Sequence, residues 1–241
     1  MPPVFAHIAR YTAHTMDWKI AMKTVAEYAY STRAGVLLCC MALGLSACSP
    51  LQPQARATVY DFGPGALSAA PAHRMAPRPA LVLADVEASA ALDGTAVLYR
   101  LAYSDAQQLR PYAHTRWSMS PGQLLRQRLR EQLGLYRPVL NAAQGVVVGK
   151  PAMNLHLDLD EFSQLFDSAD HSSGLVRLRA TLGQGGEGVE RLLAQRSFLV
   201  QRPATTPDAA GGVRALTLAT DALIEEIELW LQQVEKAQET K

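Results

Sequence analysis

The chain has 241 residues, with 23 lysines and arginines against 22 aspartates and glutamates. Four of those bases and two of the acids precede Cys48, so the remainder carries a net charge near −1 with neutral histidines. That balance gives no general attraction to nucleic acid or anionic lipid. Cys39, Cys40 and Cys48 are the only cysteines and lie in one stretch, LLCCMALGLSACSP, which leaves the rest of the chain without a disulfide or a thiolate metal site.

In chain order, residues 1–47 come first and have the layout of a secretory signal. Lys23 and Arg33 precede an uncharged run, Ala34 to Ala47, that ends in small residues. That run falls short of the roughly 20 residues a membrane span needs. The opening residues MPPVFAHIARYTAHTMDWKIA are long and contain Asp17, which does not suit a signal, so the true start is expected at Met16 or Met22. Leu45-Ser46-Ala47-Cys48 resembles the bacterial lipobox. The resemblance implies cleavage before Cys48 and covalent lipid on its sulfur and new amine, with fatty acids such as palmitate as the anchor. Several acyl chains hold a protein to a bilayer stably where a single one does not. By the same resemblance, Ser49 rather than Asp after the cysteine implies sorting to the outer membrane, on its periplasmic face. Cys39 and Cys40 then act as small hydrophobes in the discarded segment.

From Cys48 onward 194 residues remain, enough for one domain with a real core. Residues 48–57 form the lipidated tether, 58–236 the domain and 237–241 a short tail. A first strand is expected at Thr58 to Phe62, followed by a loop over 63–79 rich in Pro, Gly and Ala. Leu81 to Glu87 is near-continuously apolar, as a central strand is. After the Asp93-Gly94 turn signal comes a strand at Ala96 to Tyr103, and Gln107 to His114 can continue the sheet.

Ser120-Pro121-Gly122-Gln123 combines an N-cap serine, a first-position proline and a glutamine three residues on, which predicts a helix start. Leu125, Leu129, Leu133 and Tyr136 then make an apolar stripe, and Pro138 stops it. Met153, Leu155, Leu157 and Leu159 alternate with Asn154, His156, Asp158 and Asp160. Val176, Leu178, Ala180 and Leu182 alternate with Arg177, Arg179 and Thr181. Both patterns predict strands buried on one side. GQGGEG at 183–188 reads as a hairpin turn to a return strand at Leu192 to Arg202. The outward acids of one strand and arginines of the next would pair if the strands are adjacent. Thr206-Pro207-Asp208 opens a last amphipathic helix, with Gly211-Gly212 able to delay its start. Its stripe is Leu216, Leu223, Ile227, Trp230 and Val234, ending near Lys236. The order predicts an α/β single domain, a mixed, mostly antiparallel sheet with two main amphipathic helices packed on it.

Chemistry is hard to place on this pattern. His73, His114, His156 and His171 lack the spacing of a zinc site. His156 and Asp158 share a strand face and could reach a common ion; a solvated strand face is the plainer account. No nucleophile elbow occurs, and the glycine-rich loop lacks the Lys and Ser/Thr of a P-loop. No catalytic residue, no metal and no cofactor beyond the covalent lipid on Cys48 is expected. The segment Leu92 to Leu133 differs, because it concentrates aromatic and guanidinium side chains. Tyr99, Arg100, Tyr112, Arg116 and Trp117 are candidates for a partner surface, aromatic and Arg-rich patches being favoured protein contacts. Equally, the rings can cover a sheet edge while the arginines pair with acids. The same segment could also join copies into a homo-oligomer.

Several segments in order, YDFGPG, LDGTAVLYRLAYSD, YAHTRWSMSP with its Leu/Arg helix, and ALIEEIELWL, resemble the ABC-type transport auxiliary lipoprotein family over roughly Tyr60 to Val234. The resemblance implies a non-enzymatic periplasmic subunit. Its partner would be the MCE-domain protein of an ABC transporter, as in paraquat-inducible systems, and the cargo phospholipid or another apolar molecule. The ATPase and permease would be separate chains. The alternative is a lipoprotein of another envelope machine, an assembly factor or a ligand-binding subunit.

Overall fold

The computed structural model describes residues 56–65, 78–141, 153–185 and 190–240. The expected signal sequence, the lipobox-like motif and Cys48 lie outside the described residues. So do most of the 63–79 loop and residues 186–188, the second half of the GQGGEG turn. Residues Ala55–Lys241 form one compact unit.

Eight strands make one sheet. They are β1 (Thr58–Tyr60), β2 (Leu81–Ala88), β3 (Ala96–Leu101), β4 (Ala106–Trp117), β5 (Val139–Asn141), β6 (Met153–Phe166), β7 (Ser172–Gln184) and β8 (Arg191–Pro203). Three α-helices stand among the described residues: the one-turn α1 (Ala102–Asp105), α2 (Pro121–Leu133) and α3 (Ala209–Glu239). β6, β7 and β8 form a long antiparallel meander. The other edge of β6 is shared. Parallel β2 lies along its first half and carries β5, while parallel β3 lies along its end and leads to β4 and β1. The sheet is therefore mixed, and its long ladders are the antiparallel ones. None of the helices among the described residues is long and apolar enough to cross a membrane.

β6 shows how the pattern makes the core. Met153, Leu155, Leu157 and Leu159 are buried, and the residues between them face solvent or the edge. Leu159 lies opposite Leu178 but Glu161 lies opposite Arg177, so Asp160 is one extra residue, a bulge. The bulge reverses the parity: Phe162, Gln164 and Phe166 now face the core. On the outer face Asp158 lies opposite Arg179, and Arg177 approaches Asp160 at 4.0 Å, the expected cross-strand charge pairs.

Both main helices cover the other face. The α2 start is as read: Ser120 is N-cap, Pro121 is first, and the Gln123 side chain accepts the Ser120 N–H at 3.2 Å. α3 is not delayed by its glycines. Asp208 is the N-cap, its carboxylate accepting the Gly211 N–H at 2.7 Å, and the helix runs unbroken to Glu239, through most of the expected tail. The glycines are there for proximity. A Cβ on Gly212 would meet the Gln164 side chain at 2.0 Å, and one on Gly174 of β7 would meet the Leu216 nitrogen at 2.4 Å. At Gly174 helix and sheet touch backbone to backbone, and at Gly212 the helix backbone lies against the Gln164 side chain, approaches that a residue without Cβ permits.

Candidate docking site

The structure does not gather the five residues expected to form a partner surface on one exposed face. Trp117 is 2% exposed and closes an aromatic cluster, its ring centroid 5.7 Å from those of Phe62 and Phe162. It belongs to the core, because β4 shifts register against β3 between Ala96 and Leu98 and so turns Thr115 and Trp117 inward. Tyr99 and Tyr112 pack with their rings tilted by 40° and centroids 4.6 Å apart, and the Tyr112 hydroxyl donates to Gln164 Oε1 at 2.9 Å. Burial, then the neighbouring Tyr99 and Asp208, pushes the Tyr112 phenol up to about 12.

Arg100, next to Tyr99 along β3, points to the opposite face. It grips Glu161 with two nitrogens, at 2.9 and 3.3 Å, and donates to the carbonyls of Ala106 and Gln107. That fork holds the α1 corner onto the sheet. Only Arg116 of the five is exposed. The rings cover the sheet and the guanidinium of Arg100 pairs with an acid.

A different surface has the features of a docking site. Between α2 and α3 runs a groove of about 680 Å³. Its floor includes the buried Leu133 and Ile224. Leu135, Tyr136 and Leu229 stand at its rim, 47%, 45% and 58% exposed. Large apolar side chains gathered at a concavity mark binding surfaces more often than scattered ones do.

Ion pairs beneath fix the two helices. Arg128 forks onto Asp221 at 2.7 and 3.0 Å, and Gln132 donates to the same carboxylate at 2.8 Å. The hydrogen bond to Asp221 raises the Arg128 guanidinium above its ordinary value, against the burial that lowers it. Glu228, 6% exposed, accepts from Arg137 at 3.2 Å and from Gln232 and Arg78. Arg137 also pairs with Glu235. Removing one partner of the buried Arg137–Glu228 pair would leave the other charge buried and unpaired, which costs more than the intact pair contributes. The groove's one legible sign in the sequence is Leu229, a leucine off the α3 apolar stripe.

Among the described residues no group of three or more His, Cys, Asp or Glu side chains could hold a metal ion. His156 contacts Glu190 at 3.3 Å on an exposed face.

A lipobox-like motif in the sequence, ahead of an α/β domain whose Arg128–Asp221 and Arg137–Glu228 pairs tie its helices together, has the outline of a lipoprotein module. The chain belongs to the ABC-type transport auxiliary lipoprotein component family, whose model matches residues 60–228. In fold it is similar to protein XCC0632 from Xanthomonas campestris. The two share 18% identity and a TM-score of 0.59, over 76% of this chain and 100% of that one. It is also similar to an uncharacterised protein of known crystal structure, at 16% identity and a TM-score of 0.52, over 73% of this chain and 99% of that one. No curated protein sequence matches the chain.

Proposed function

We propose that the chain is an outer-membrane-anchored periplasmic lipoprotein. In this reading it is a non-enzymatic docking subunit of an MCE-type ABC transport system that moves phospholipid or other apolar molecules across the envelope. The observation that carries the reading is the family match over residues 60–228, preceded in the sequence by Leu45-Ser46-Ala47-Cys48. Acyl chains on Cys48 hold the domain at the bilayer, residues 48–57 set its reach, and the domain meets an MCE-domain protein.

Cys48→Ser removes the thiol on which the anchor is built. The variant should leave the membrane fraction and lose label from radioactive palmitate, while the parent chain keeps both and co-purifies with the MCE protein from cross-linked cells. Unchanged sedimentation and labelling of the variant would overturn the anchor. Recovery of a different envelope machine in place of the MCE protein would overturn the partner.

A further inference from the structure

We infer that the groove between α2 and α3 receives a basic amphipathic helix of a protein partner. The inference rests on the reading that this chain is a docking subunit, and it names the surface and the chemistry of what docks. Leu135 and Tyr136 lie just past the end of α2, and Leu229 faces them from α3. Together with Leu133 and Ile224 they offer apolar contact along a concave strip, the form in which a helix lays its apolar face.

Charge selects the occupant. Arg128 is neutralised by Asp221, and Glu228 by Arg137 and Arg78. Glu131 on α2 and Glu225 on α3 remain on opposite rims, both exposed. Glu131 has Arg128, already engaged, as its cation at 3.7 Å, and Glu225 has no ion-pair partner among the described residues. The rims are therefore acidic. A phospholipid phosphate would meet these carboxylates and be repelled, and a bare acyl chain would lie over ionised Arg128 and Glu228, which hydrocarbon cannot solvate. A second copy docking groove to groove would oppose the same acids to each other. A helix with leucine-like residues at i, i+3 or i+4 and i+7, flanked by Lys or Arg, satisfies both the strip and the rims.

The test uses the full-length chain in cells, with photoreactive p-benzoylphenylalanine in place of Leu229, separately of Leu135, and as a control of Leu199. Leu199 is 59% exposed on β8. Both groove positions should give an adduct that mass spectrometry maps to one partner segment with that apolar spacing and interleaved basic residues. Leu199 should not. Adding Glu131→Lys with Glu225→Lys should lower the adduct yield by about threefold or more, while Glu→Asp at both positions holds it. Adducts with lipid, with a second copy or with a segment lacking basic residues would each overturn the inference. So would no adduct from either position, or a yield indifferent to charge reversal. An adduct with a basic helix of a protein other than the MCE protein leaves the groove standing and overturns the partner proposed above. Co-purification of the MCE protein without a groove adduct does the reverse.

Discussion

Trp117 and Tyr112 carry most of what single residues decide here. Trp117 fills space between Phe62 and Phe162, and its Nε1 has no hydrogen-bond partner among the described residues. Trp117→Ala should cost about 3–5 kcal/mol and lower the Tm by roughly 10 °C, read by differential scanning calorimetry. Trp117→Phe keeps a ring and removes the unpaired donor, so it should be far milder. If the alanine variant melts like the parent, the aromatic cluster is not core.

Tyr112 bears on pH. Its folded value near 12 lies above the ordinary 10. Between these values the unfolded chain releases the proton and the folded chain keeps it. The contribution is thus fully present below about pH 10 and lost as pH rises toward 12. Titration of the phenolate absorbance should show a late component that Tyr112→Phe removes; its persistence would place that component elsewhere.

At the scale of elements, the decisive contact is α3 against β7 and β6. The start of α3 lies on Gly174, with no room for one methyl group between the Gly174 backbone and the Leu216 nitrogen and Ala215 carbonyl. Gly174→Ala must push the helix off the sheet. A loss of about 1–3 kcal/mol in urea unfolding is expected, with the slope unchanged. Were stability unaffected, the close approach would be wrong.

The β6 bulge is the second element-scale device. Without the extra Asp160, Phe162 and Gln164 would face solvent and Glu161 the core, since a slip of one residue turns every side chain over. A strict alternation read from Met153 to Asp160 stops at that point for this reason.

For the whole molecule, one hydrophobic cluster joins both helices to the sheet. It runs from Phe62 and Trp117 beside α2 to Phe198 and Trp230 under α3. Trp117 and Trp230 thus report on its two ends. In the chain cut back to start at residue 48, which lacks Trp18, the fluorescence midpoint on heating of a Trp230→Phe variant and of a Trp117→Phe variant should each coincide with that variant's own circular dichroism midpoint. Midpoints several degrees apart within one variant would mean that the two ends melt separately.

Local pattern determined much of this. Two-residue alternation marked β6, β7 and their charge pairs, the Ser-Pro-Gly-Gln start marked α2, and the Leu/Trp stripe marked α3, because each depends only on near neighbours in the chain. The family resemblance was legible for the same reason, as a series of short segments in order. Tertiary structure alone decided the rest. The three-residue β5 exists only because β2 offers it an edge. The aromatic and arginine residues of β3 and β4 went to the core and to two opposite faces, because a register shift sets their direction. The groove exists because α2 and α3, 76 residues apart at their ends, share one face of the sheet and are held there by Arg128 and Asp221. Periodicity along one segment carries no information about which distant segment it will lie beside.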